Sequence, residues 1–85
     1  MVNSELAARV KTRSIVRGTE TMLGRVVGNT PLAKYVRRFL MVQLQTAEQL
    51  LGMMEGGEEY GEQYDKLDLS VRAGVLAFHL YKIAQ

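Results

Sequence analysis

The sequence predicts an all-α fold, a small bundle of three to four helices in one domain spanning residues 1–85. Three observations carry that reading. Apolar residues recur at three- and four-residue steps through most of the chain. No segment alternates apolar and polar residues over a useful length. One Pro in 85 residues leaves few strand-and-turn signals.

The first helix is expected at roughly residues 4–27, with Ser4 or Asn3 as its cap. Val16, Leu23 and Val27 form one row, and Ile15, Met22 and Val26 lie beside it. Leu6 and Val10 continue the pattern upstream more weakly. Gly18 sits inside this helix, at a cost of about 1 kcal/mol relative to Ala. It marks either a bend or a division between a short basic helix and a more apolar one.

Gly28-Asn29-Thr30-Pro31 is the clearest local landmark. Gly28 or Asn29 can take the left-handed conformation that closes a helix. Thr30 can accept from the free amides of the next helix, and Pro31 suits a first turn where no donor is needed. Two helices joined by so short a turn pack antiparallel, so helices one and two should form a hairpin around Gly28–Pro31.

Helix two is expected over residues 31–55. Leu32, Tyr35, Val36, Phe39, Leu40, Leu44, Ala47, Leu50, Leu51 and Met54 fall at helical steps. Met41 and Val42 widen the apolar surface beyond a narrow seam, as for a helix central to the bundle or shared with another chain. Gly56-Gly57 ends it. Residues 58–66 read either as a loop or as a short third helix, with Tyr60, Tyr64 and Leu67 on one face and Gly61 weakening it. Asp68 or Ser70 then caps a fourth helix over roughly 69–84, with Leu69, Ala73, Leu76, Leu80 and Ile83 as its apolar stripe.

Charge is divided unevenly along the chain. Residues 1–40 carry eight Lys/Arg against two acids, and residues 41–85 carry three against seven, so a net charge of +2 is +6 in front and −4 behind. That built-in dipole favours charge-matched contacts. Hydrophobic residues make up 47% of the chain, more than so small a core needs, and the surplus points to a partner surface. With no Cys, neither a disulfide nor a thiolate metal site can support the fold. The opening residues lack a charged leader followed by an apolar run, and the longest uncharged stretches are far shorter than the roughly 20 residues of a membrane span. A cytoplasmic protein, or one inside a virion or host cell, is the expectation.

The residues also argue against several chemistries. Nucleophilic catalysis needs a nucleophile, a base and an orienting group. The one His, His79, lies in the fourth helix and reads as a packed or half-exposed helix residue, so no enzyme activity is expected. Glu58, Glu62 and Asp65 lack a companion Glu-x-x-His and any Ca²⁺-loop spacing, which makes them a solvated acidic face rather than metal ligands. Gly56-Gly57 is followed by acids that would repel phosphate. No cofactor and no small-molecule substrate are expected.

What remains is association. The expected interface is Phe39, Leu40, Met41 and Leu44 on helix two, together with Leu50 and Leu51 and with helix four as an optional contributor, and with Tyr60 and Tyr64 as an aromatic patch. Arg9, Lys11, Arg13 and Arg17 on helix one and Arg37 and Arg38 on helix two form the basic surface that would meet an acidic neighbour. Two versions fit: a structural or adaptor subunit of a larger assembly, including a homo-oligomer, or a small regulator or inhibitor that masks a partner surface. Short Cys-free helical chains of this kind are common among virus- and plasmid-encoded accessory proteins, which is an association rather than something the residues show. The alternative is a nucleic-acid-binding regulator using the basic first helix. That helix carries few base-reading side chains and no aromatic for stacking.

Overall fold

The computed structural model describes residues 2–85, with side chains from Glu5 onward. It is an all-helical bundle of three helices, with no strand among the described residues: α1 (Val2–Arg25), α2 (Pro31–Glu55) and α3 (Gly61–Ala84). The bundle is elongated, 44 × 19 × 17 Å.

The turn chemistry sets α2. Thr30 has extended backbone angles, and its Oγ1 accepts from the Ala33 amide at 3.1 Å. Pro31 follows at the first helical position. Gly28 takes φ 93°, a conformation costly to any residue with a Cβ. At the far end the Gly56 amide reaches Gly52 O and the Gly57 amide reaches Met54 O, with Gly57 at φ 73°. Arg9 Nη2 donates to Met54 O at 3.1 Å, so a cation from α1 satisfies a carbonyl at the C-terminus of α2.

Two helices differ from expectation. Helix α1 begins at Val2, so Asn3 and Ser4 lie inside it rather than capping it, and their side chains fall outside the described residues. It runs through Gly18 as one helix and stops at Arg25, two residues early. The segments expected at 58–66 and 69–84 are one helix from Gly61, so there is no fourth helix among the described residues. Asp68 and Ser70 are therefore not caps. The chain from Lys66 to Val71 contains no Gly or Pro, and Leu67 is fully buried against α2, which holds the helix intact through two residues that favour caps only locally.

Helix α2 is central. Its buried seam is Ala33, Val36, Leu40, Gln43, Ala47, Leu50 and Met54, in alternating steps of three and four. Helices α1 and α3 both pack along α2 and scarcely touch each other. The apolar core is split in two. One cluster joins Val26, Ala33, Val36, Leu40, Phe78 and Tyr81 near the α1–α2 turn. The other joins Ala8, Ala47, Leu50, Met54 and Leu67 near the α2–α3 turn. Between them lies a polar layer, where Gln43 Nε2 donates to Thr19 Oγ1 at 2.8 Å with both residues buried.

On α1 the seam runs between the two predicted rows. Ile15, Val16, Met22 and Leu23 are half-buried flanks, while the buried positions are Ala8, Thr12 and Thr19 on the helix and Val26 just past its end. Val27, expected inside, lies beyond the helix end and is exposed. On α3 the outcome is reversed. The stripe Leu69, Ala73, Leu76, Leu80, Ile83 faces outward, and Leu67, Gly74, Phe78 and Tyr81 face α2. Helix α3 has an apolar stripe on each of two opposite sides, so periodicity alone could not say which one the bundle uses.

Candidate protein interface

The outward stripe of α3 is an uncovered row of apolar residues. Leu69, Leu76, Leu80 and Ile83 are 66%, 61%, 54% and 81% exposed. Their steps of seven, four and three place them on one side of the helix, about half a turn from the buried stripe. Both sides are apolar, and among the described residues only the inner one has a partner.

The predicted helix-two patch is divided by the fold. Leu40 and Leu50 are fully buried, one in each apolar cluster, and present nothing to a partner, which corrects their place in the expected interface. The width of apolar surface on α2 has a simple cause: two helices cover it from two sides. Phe39 and Leu44 are half-buried and Met41 is exposed. Phe39 also borders a small apolar cleft of about 250 Å³ with Tyr35, Val42, Arg38 and Ser70. Tyr60 and Tyr64 are half-buried, edge to face at a centroid distance of 6.3 Å, and pack on the apolar cluster near the α2–α3 turn.

A second apolar concavity, an open groove of about 820 Å³, lies where α1 and α3 diverge. Val10, Ile15 and Met22 line one side, Val71 and Val75 the other, with Gln43 among its walls. The Gln43 Oε1 is buried and accepts no hydrogen bond.

The basic residues separate into two sets. Arg9 is spent on Met54 O, and Arg37 Nη2 donates to Gly28 O at 2.8 Å. Lys11 Nζ meets Asp68 Oδ1 at 3.3 Å and lies 5.5 Å from the Tyr64 ring centroid. The hydrogen bond to Asp68, then the neighbouring Tyr64, then the Asp68 charge hold the Lys11 ammonium above its ordinary pKa of 10.5. Asp68 also pairs with Arg72 at 3.1 Å, one turn along α3. The side chains of Arg13, Arg17 and Arg38 make no ion pair or hydrogen bond among the described residues.

His79 is exposed and its side chain makes no hydrogen bond among the described residues; its ring lies at a centroid distance of 6.5 Å from Phe78. No group of three or more His, Asp or Glu positioned to hold a metal occurs among the described residues. No described helix is long and apolar enough to cross a membrane.

Sequence reasoning named the outer stripe of α3 but missed the inner face that packs on α2, and it missed the buried Thr19–Gln43 layer. A signal for the first was present: residues 67, 71, 74, 78 and 81 step by three and four as regularly as 69, 73, 76, 80 and 83. The second had no comparable signal, since polar residues at seam positions are invisible to a search for apolar periodicity. The chain matches no family model, no curated protein and no solved structure.

Proposed function

We propose that this chain is a non-catalytic protein–protein interaction module, an antiparallel three-helix bundle that docks through the outer face of α3. The observation that carries the reading is the uncovered stripe Leu69, Leu76, Leu80, Ile83. Scattered exposed apolar residues are ordinary on a small protein, but a contiguous row along one helix face marks an interaction surface. Phe39, Met41, Tyr60 and Tyr64 are secondary contacts at the bundle edge. The role is that of a structural or adaptor subunit, or of a regulator that masks a partner surface.

The test is recovery of the chain from its native host at physiological salt, beside a Leu76→Glu variant. Leu76 packs on nothing the bundle needs, so the variant keeps its helical circular dichroism. The reading expects an associated species with the parent chain and its loss in the variant. A parent chain recovered as a lone 9.5 kDa monomer would contradict it.

Arg13 and Arg17, one turn apart on α1 and without an internal partner among the described residues, are the observation that favours a nucleic-acid-binding alternative.

A further inference from the structure

We infer that the occupant of the outer α3 face is the same face of a second copy, paired antiparallel about a two-fold axis. The inference rests on the docking role proposed above and names its partner.

The first argument is spacing. Leu69, Ala73, Leu76, Leu80 and Ile83 advance by four, three, four and three, the repeat of a coiled-coil seam, which is satisfied by a helix of the same repeat. Within the chain the seams of α1 and α2 are already buried against each other and against the inner side of α3. A matching helix must therefore come from outside these residues, and a second copy supplies one.

Charge sets the direction. The same repeat extends back to Lys66 and Glu62. A parallel pair would stack Glu62 on Glu62 and Lys66 on Lys66 in consecutive layers, and like charges in a seam oppose pairing. An antiparallel pair moves these residues to opposite ends, lays the Lys66 stem along Ile83 of the second copy and opposes the two helix dipoles. The register that fills the most layers sets Leu69 against Leu80 and Ala73 against Leu76, each twice by symmetry. Small Ala73 facing large Leu76 lets the central layers interdigitate.

Area is the third argument. Each face offers on the order of 500 Å² of apolar surface, so two together reach the roughly 1,000 Å² that a specific interface needs. Burying the face at both copies would leave the α1–α3 groove and the basic side of α1 free for other contacts.

The test uses the absence of cysteine in the chain. Ala73→Cys and Leu76→Cys are prepared separately, mixed reduced, and oxidised; disulfides are then mapped by mass spectrometry. The antiparallel register brings residue 73 of one copy beside residue 76 of the other, within the Cα separation of about 7 Å that a disulfide tolerates. The 73–76 cross-disulfide should exceed both self-disulfides, and the parent chain should sediment at twice its 9.5 kDa mass. Self-disulfides in excess would overturn the antiparallel pairing. A parent chain that stays at 9.5 kDa at all concentrations would overturn self-pairing altogether. If that monomer still carries a host protein that Leu76→Glu loses, the docking role stands without the second copy; if it carries nothing, both fail.

Discussion

The side-chain amide of Gln43 lies directly over the α-carbon of Gly74. A Cβ at position 74 would collide with Gln43 Oε1 and come within 3.5 Å of the Phe39 ring. This contact lets α3 approach the middle of α2, and it sits where the two apolar clusters are separated by polar side chains.

Gly74→Ala should therefore destabilise the bundle by about 1–3 kcal/mol, the usual range for overpacking. The colliding atoms belong to a side chain, but Gln43 is fully buried and tethered to Thr19, so moving it breaks that hydrogen bond. Gly18→Ala has nothing within 4 Å of the new Cβ and should stabilise by up to about 1 kcal/mol through helix propensity. Urea denaturation of both variants reads the contrast. Two stabilising substitutions would mean that α3 does not press on Gln43.

The Thr19–Gln43 pair predicts a non-additive cycle. Thr19→Val alone leaves both ends of a buried amide without a partner and should cost about 1–3 kcal/mol. Thr19→Val with Gln43→Met removes both polar partners and the unpaired Oε1 together, and should return stability to within about 1 kcal/mol of the parent chain or above it. Additive losses in chemical denaturation would contradict the geometry.

Tyr81 ties the end of α3 to the α1–α2 turn. Its hydroxyl accepts from the Val27 amide at 2.9 Å, donates to Val27 O at 2.9 Å and accepts from Gln85 Nε2 at 2.7 Å. Tyr81→Phe should cost about 1–3 kcal/mol and raise hydrogen exchange at the Val27 amide more than at amides in the middle of α2. Unchanged exchange at Val27 would show that the turn is held by other contacts.

Lys11 gives a pH dependence with a defined sign. Its pKa in the folded chain lies above 10.5, so the stability from its contact with Asp68 and Tyr64 is fully present below pH 10.5 and is lost as pH rises through the folded value. Lys11→Met should differ from the parent chain most at neutral pH, by the small amount expected of an exposed ion pair, and converge with it in alkali. A difference that grows with alkalinity would have the wrong sign.

Binding to generic duplex DNA should be absent near physiological salt. Arg9, Lys11 and Arg37 are engaged within the chain, which leaves Arg13, Arg17 and Arg38 as the cations without internal partners among the six named. A salt series showing release of four or more counterions would instead support the nucleic-acid reading.

The limits of α2 were legible because each rests on strong local chemistry: the Thr30 cap, Pro31 at the first turn and the Gly56-Gly57 stop. The continuity of α3 was not, because Asp68 and Ser70 look like caps until Leu67 is seen buried between the turns. The inner face of α3 was illegible for a related reason. Leu76 and Phe78 belong to equally regular stripes, and what selects the Phe78 side is Gly74, a residue with no hydropathy signal. Leu40 was placed at an interface because α2 looked too apolar for one bundle; with α1 and α3 on two sides of it, most of that surface is used. Tyr35, Met41 and Val42 stay exposed on α2, and the most regular exposed apolar row is on α3.

Sedimentation equilibrium of the parent chain and a Leu76→Glu/Leu80→Glu variant, over a hundredfold concentration range, tests the role of the outer α3 face most directly. The parent mass should rise with concentration towards a dimer, and the variant should stay at 9.5 kDa with unchanged helix content. Identical masses for the two chains at every concentration would contradict it.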